Sequence, residues 1–479
     1  MKFSSSKHFI FNEIYLGLPA RSVGLLFIFV FAMLSSCNDD ESVKKKKTTP
    51  VVTNQPTTTN PTVPTSATEC SPHILYGYCD KVSYNKEEKV IVYLQSNQSI
   101  STCRLDVYDL NQKLIFSAPS DALFEQKIAN DPAVNGYGFI ANATLELPAS
   151  IQSGIYLIDG KIPFLVKDPK SVDLLIAYPS NTANAYCESG GRSLYSVDNR
   201  PTQVSFERPI PVQSESYAGL KWFSNLTGFS IGYVADIDLN DYTVMSSTKI
   251  LVIVGHSEYW SLKARRNFDK FIASGGHAII LSGNTMWWQI RYSDDKKKLV
   301  CHKDPSDPIA DPLLKTLVWA EPALQYSIIP SIGVDFNYGG YGVRYADDGW
   351  DGFKIALPQS PLLQGLNFKK GDVLRLPSAE YDGAPLKEFV DGYPVIDNSL
   401  IGAYRIQLIG FDYGLRGGKT TVGTFIVMQP KTDSGVIVNV GSLAWCSDYG
   451  MGGPDKNKFN QITLNAINGM LSNNSLFAQ

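Results

Sequence analysis

Paired cysteines are what this 479-residue chain most plainly lacks. It has seven Cys and none at C-x-x-C spacing, which argues against a zinc ribbon. Net charge is also lacking: 43 Lys+Arg against 46 Asp+Glu leave −3, so no basic field points to a nucleic-acid partner. The serine-hydrolase signature G-x-S-x-G is missing around Ser257, because position 259 is Tyr. The apolar run Val23–Leu34 is too short to span a bilayer stably. What is present is globular in character, 44% hydrophobic and 19% charged. The 25 Tyr and 23 Phe are more aromatic weight than a minimal scaffold needs, and Tyr can also serve as a ligand.

The N-terminus reads as an address. Lys2, Lys7 and Arg21 precede the apolar run, as in a signal peptide. Leu34-Ser35-Ser36-Cys37 resembles a bacterial lipobox, which implies removal of residues 1–36 and acylation of Cys37. The acidic Asn38–Glu41 that follows resembles the surface-export signal of Bacteroidetes-type lipoproteins. The expected location is the cell envelope, as an outer-membrane lipoprotein exposed at the surface and held to the membrane by its lipid. An uncleaved hydrophobic anchor is the alternative. Residues 37–69, with four Lys at 44–47 and then Thr, Pro and Asn, read as a tether. Outside the cytoplasm disulfides are possible, and two of Cys70, Cys79 and Cys103 are close enough in sequence to pair. Cys187, Cys301 and Cys446 are scattered and fit free, buried thiols.

Residues 70–168 carry short β-like runs at 89–96, 102–110, 138–147 and 154–166, separated by polar turns, which predicts a small β-sandwich. From 169 to 479 the grammar changes. Continuous apolar runs at 172–180, 231–239, 249–256, 277–284 and 435–445 alternate with amphipathic segments around 214–228, 262–274 and 459–471. That alternation predicts an α/β domain, a parallel sheet with helices on both faces. Residues 285–430 are rich in Gly, Asp and aromatics with weak periodicity, and read as an insertion that roofs the sheet.

In open α/β sheets ligands bind at the carboxyl ends of strands. Four segments sit there: 178–195, "GHSEYW" at 255–260, 282–292 and 441–450. Together they bring Tyr, Trp, Asn, His and Glu to one rim. Glu258 equally suits the first turn of the next helix, where the helix dipole favours a negative charge. His256 equally suits a core histidine satisfied by a carbonyl. Tyr186 and Tyr195 taken singly suit packing, and Asn181 and Asn284 suit turn caps. His256 and Glu258 together at a strand end favour a site.

The segments "LIAYPSNTANAYCESGGRSLY", "VSFERPI", "GHSEYW", "FIASGGHAIILSGNTMWWQIRY", "VCHKDP" and "GSLAW" occur in an order that resembles the C-terminal region of the N,N-dimethylformamidase large (beta) subunit-like family, over about residues 150–475. That resemblance implies a class I glutamine amidotransferase-like, flavodoxin-like parallel sheet. The turn after the apolar run at 278–281 reads Ser282-Gly283-Asn284, without the nucleophilic Cys of the amidotransferases. The resemblance further implies an Fe(III) held by two Tyr and one Glu with a His nearby. Matched residue by residue, Glu258 becomes a ligand, His256 its neighbour and Tyr186 one tyrosine. Tyr156 is the first choice for the second, with Tyr178, Tyr195 and Tyr259 left open. The implied chemistry is metal-assisted hydrolysis of an amide C–N bond. His256 moves a proton or positions water. Asn181 and Asn284 are placed as oxyanion donors by position alone. The partner small subunit of the family's enzyme is not in this chain, so a separate small subunit or an oligomer is an open expectation. The competing expectations are a non-catalytic surface lipoprotein whose aromatic rim binds a glycan or small molecule, and a cysteine amidase using Cys187, Cys301 or Cys446.

Overall fold

Leu174–Tyr178, Ile250–Gly255 and His277–Ser282 have almost no polar residue, and their side chains explain why. In a strand, successive side chains point to opposite faces. Leu174, Ile176, Ile250, Val252, Val254, Ile279 and Leu281 enter one core. Their neighbours Leu175, Ala177, Leu251, Ile253, Ala278 and Ile280 enter another on the opposite side. A strand buried on both faces needs apolar residues at every position. The first core is closed by Leu220 and Phe223 of the helix Ser214–Ser224 and by Phe459, Ile462 and Ile467 of the helix Lys456–Leu471. The second is closed by Ala264, Phe268, Phe271 and Ile272 of the helix Leu262–Ala273.

The computed structural model describes residues 68–168, 171–342 and 349–479. The leader 1–36, Cys37 and the tether up to residue 67 lie outside the described residues. No helix among the described residues is long and apolar enough to cross a membrane.

These strands belong to one eleven-stranded sheet. Its order begins Ile231–Ala235, Leu174–Tyr178, Ile250–Gly255, His277–Ser282, Ile437–Asn439, and all four pairings in that run are parallel. The sheet then changes sense. Ile437–Asn439 pairs antiparallel with Lys419–Gln429, which pairs antiparallel with Arg405–Arg416. Gly340–Tyr341 and Glu380–Gly383 extend that side, and Gly352–Ile355 with Val373–Arg375 branches from it.

The expected flavodoxin-like, class I glutamine amidotransferase-like parallel sheet is therefore corrected to a mixed sheet. The cause is the segment 285–430, which does not merely roof the sheet but supplies its antiparallel half. Its principal element is the hairpin of Arg405–Arg416 and Lys419–Gln429, where Arg416 pairs with Lys419 across Gly417-Gly418. Both glycines have positive φ, 55° and 74°, the backbone that a two-residue hairpin turn requires.

Before the sheet, a three-stranded sheet (Ile74–Cys79, Lys89–Ser96, Ala143–Glu146) and a five-stranded sheet (Ser83–Asn85, Ile162–Lys167, Gly154–Ile158, Arg104–Asp109, Leu114–Pro119) share one core. Val90, Val92, Leu94 and Leu145 from the first meet Leu105, Val107, Ile158 and Phe164 from the second. A Cys70–Cys103 disulfide ties the start of this region to the residue before Arg104. Cys79, Cys187, Cys301 and Cys446 are free thiols. Ile155, Leu157 and Leu165 belong to the core of the large sheet rather than to the two-sheet core, so the two regions pack against each other continuously.

Candidate functional site

The strand Ile250–Gly255 ends in a forced turn. Gly255 has φ 69°, and a Cβ there would lie 2.1 Å from Ser216 Oγ. Only glycine lets the chain pass this close to the helix Ser214–Ser224. The next residues are pinned: Ser257 N–H donates to Ser282 Oγ (3.1 Å), and Glu258 N–H donates to Thr182 Oγ1 (2.9 Å). Tyr259–Ser261 then forms a short strand parallel to Trp288–Tyr292. Ser261 caps the helix Leu262–Ala273 by accepting from Ala264 N. Glu258 thus precedes that helix and does not sit in its first turn.

Glu258 is 1% exposed. Its Oε1 accepts a 2.6 Å hydrogen bond from the Tyr195 hydroxyl. The Tyr186 ring stacks on Tyr195 at 4.1 Å between centroids and leans on the His256 imidazole at 5.2 Å. Tyr259 is fully buried beside them. Burial first, and then the Glu258 carboxylate, raise the hydroxyl pKa of Tyr186, Tyr195 and Tyr259 well above that of free tyrosine. The Lys303 ammonium lies 3.4 Å from the Tyr195 ring centroid and within 5.3 Å of those of Tyr259 and Trp288.

His256 is where two carboxylates meet. Its Nε2 is 3.2 Å from Glu380 Oε2 and 3.5 Å from Glu258 Oε2, ion-pair distances without hydrogen-bond alignment. Burial pulls the imidazole pKa down, and Glu380 and Glu258 overcome it, raising it to about 9. At neutral pH His256 is an imidazolium. Burial raises the pKa of Glu258, while His256 and Lys303 work against that rise. Glu258 Oε2, His256 Nε2, Glu380 Oε2, Tyr259 Oη and Asn284 Oδ1 are all buried without a hydrogen-bond partner. Buried polar atoms are ordinarily hydrogen-bonded, and Glu258, His256 and Glu380 meet here at ion-pair distance alone.

Tyr186, His256 and Glu380 open onto a cleft of about 520 Å³. Glu380, which no sequence motif marks, starts the strand Glu380–Gly383 within the segment 285–430. It arrives because Tyr381 bridges to Ser442 and Leu443 N–H donates to the Glu380 carbonyl. No spacing in the sequence links position 380 to 256. Lys303 was missed for the same reason.

Tyr156 does not join the cluster and is corrected here. Its ring stacks on Phe164 in the two-sheet core and its hydroxyl donates to the Gln152 carbonyl (2.8 Å). Tyr178 lies in the sheet core. Asn181 is close by but committed: Nδ2 donates to the Tyr259 carbonyl (3.0 Å), and Oδ1 accepts from the Tyr292 hydroxyl (2.9 Å). It positions Tyr259. Asn284 follows the strand His277–Ser282 with φ 51° and an unpartnered Oδ1. Burial holds the Cys301 and Cys446 thiols at about 12, too high for a nucleophilic thiolate. Cys187 borders the cleft, and its thiol donates to the Pro209 carbonyl (3.2 Å).

An imidazole between two carboxylates, beside buried phenols, is a group able to exchange a proton. The chain belongs to the family described as N,N-dimethylformamidase beta subunit-like, C-terminal, which matches residues 115–457. No curated protein matches the chain. Among solved structures, a ThuA-like protein from Bacteroides uniformis is similar at 10% identity and a TM-score of 0.33, covering 63% of this chain and 92% of that one. A likeness that distant says nothing of activity. Among the described residues no three His, Cys, Asp or Glu side chains are arranged to hold a metal ion. A set that includes tyrosines is a different donor chemistry.

Proposed function

We propose that the chain is a hydrolase of amide C–N bonds, held at the cell envelope by an acylated Cys37, with its chemistry at His256, Glu258 and Glu380. The observation that carries the reading is the buried His256 imidazole at ion-pair distance from Glu258 and Glu380, with no hydrogen bond at Glu258 Oε2, His256 Nε2, Glu380 Oε2 or Tyr259 Oη. Family membership supports the amidase resemblance.

The donors fit an iron(III) ion. Glu258, Tyr186 and Tyr195 would hold it: these are hard oxygen ligands already gathered around one carboxylate. When bound, the ion supplies Lewis acidity toward an amide carbonyl. The raised pKa of the phenols means that they give up protons only to a cation, so loading is favoured at higher pH.

The chain's own groups divide the proton work. Glu380, on the cleft side of the imidazole, takes a proton from the attacking water. His256, held as imidazolium by its two carboxylates, gives its proton to the departing nitrogen as the C–N bond breaks. The products are a carboxylic acid and an amine, and the proton on Glu380 returns to His256. Thr182 and Asn181 act through others, fixing Glu258 and Tyr259.

The test is metal analysis of the purified full chain together with Glu380→Gln. The expected outcome is near-stoichiometric iron in both proteins, with turnover of simple amides lost in the variant by 100-fold or more, about the scale of one general base. A folded, iron-free wild-type protein without turnover would overturn the enzyme reading and favour a non-catalytic binder of a glycan or small molecule.

A further inference from the structure

The cleft over His256 is several times larger than a simple formamide needs. At about 520 Å³ it falls in the range of drug-sized ligands. Its walls also have a consistent chemistry. Glu215 and Glu380 bring two carboxylates to it, and Gln213 brings a buried Oε1 that accepts no hydrogen bond. Nearby donors are spent on the protein: Ser214 Oγ donates to Glu215 Oε2 (3.0 Å), and the Cys187 thiol donates to Pro209. No Lys or Arg is among the described residues that line the cleft. Tyr186 and Tyr341 add aromatic rings, with Tyr341 38% exposed. Acceptors plus aromatic faces suit a cation that is rich in N–H.

We infer that the cleft selects amides of amino-sugar to dipeptide size that carry an ammonium group, and turns away amides that carry a carboxylate. A carboxylate in the cleft would face Glu215 and Glu380, and the one imidazolium on its wall, His256, is already shared between Glu380 and Glu258. An ammonium would pair with them and donate a third hydrogen bond to the Gln213 oxygen. The inference rests on the amidase reading for the bond that is cut, but the charge preference is a property of the cleft itself.

The experiment uses the full chain and three amides of one skeleton: L-phenylalaninamide (cation), N-acetyl-L-phenylalaninamide (neutral) and N-succinyl-L-phenylalaninamide (anion). Binding is measured by calorimetry at low and physiological salt. The cation is expected to bind about tenfold tighter than the neutral amide, a margin that shrinks with salt, and the anion weakest of the three. Glu215→Gln is expected to remove about fivefold of the cation's advantage and leave the neutral amide unchanged. Equal affinities for the three, or preference for the anion, would overturn the inference. So would a Glu215→Gln protein, shown folded by its melting curve, that keeps the full advantage. Iron content bears only on the hydrolase reading, so loss of iron with the ranking intact would sink that reading and leave the charge preference standing.

Discussion

Glu258→Gln separates function from folding at the centre of the site. The wild-type carboxylate is 1% exposed, and one oxygen has no hydrogen-bond partner. Burial raises its pKa, so carrying the charge costs stability. Glutamine keeps the volume, and its carbonyl oxygen can still accept from Tyr195. What is lost is the charge assistance of that 2.6 Å bond, a difference of about 1 kcal/mol. What is gained is relief from burying an incompletely paired charge, of similar size and opposite sign. The net effect on folding is therefore within about 1 kcal/mol, and the melting temperature should move by no more than about 4 °C. Iron affinity is expected to fall far more, by at least about 100-fold, since removing a ligand exceeds the effect of disturbing its outer partners. Amide hydrolysis should vanish with it. Differential scanning calorimetry and metal analysis on the same preparation give both numbers. Retention of stoichiometric iron and turnover would remove Glu258 from the mechanism. A melting temperature lowered by more than about 10 °C would show instead that the carboxylate is a structural strut.

Two further expectations concern the frame. Gly255→Ala adds a Cβ 2.1 Å from Ser216 Oγ on a backbone of φ 69°. It should cost at least about 2 kcal/mol in chemical denaturation and displace His256, lowering turnover even in folded protein; an unchanged midpoint would refute the close-approach argument. Asp307 accepts both Arg291 donors (2.7 and 2.9 Å) and the Thr316 hydroxyl (2.7 Å). Burial opposes ionisation there, but these bonds outweigh it and hold the carboxyl well below the usual range. A depressed folded pKa adds stability above pH 4 that is lost as pH falls. Asp307→Asn should therefore cost about 2–4 kcal/mol at pH 7, and the gap should close below about pH 4. A gap that is constant with pH would mean that the charge is not the cause.

Particular stretches show how far the sequence carried. The unbroken apolar runs at 250–255 and 277–282 announced strands buried on both faces, because a strand with two covered faces tolerates no polar position. His256 and Glu258 were legible because they directly follow such a run, and Tyr186 because its motif resembles a family. The Gly417-Gly418 turn was also visible, and it signals a hairpin. Reading the whole of 285–430 as a roof lost that signal, and with it the antiparallel half of the sheet. Tyr156 lies in the two-sheet core and away from Glu258; nothing local in the sequence distinguishes a core tyrosine from one at a polar cluster. Tyr195 and Tyr259, by contrast, lie beside Glu258, and no spacing in the sequence separates them from Tyr156 and Tyr178.

By itself the sequence determined the local facts: which segments must be buried, where strands end, and which charged residues follow those ends. Period and polarity act over a few residues, so they can be read one segment at a time. Only the tertiary structure decided which distant groups share a space. Glu380 meets His256 across 124 positions (380 − 256) because strand pairing with Gly441–Leu443 carries it there, and Tyr195 reaches Glu258 because the loop after the helix Ser180–Tyr186 folds back. Such meetings are set by the packing of whole layers, where the free energy is shared among many side chains and no short pattern records it.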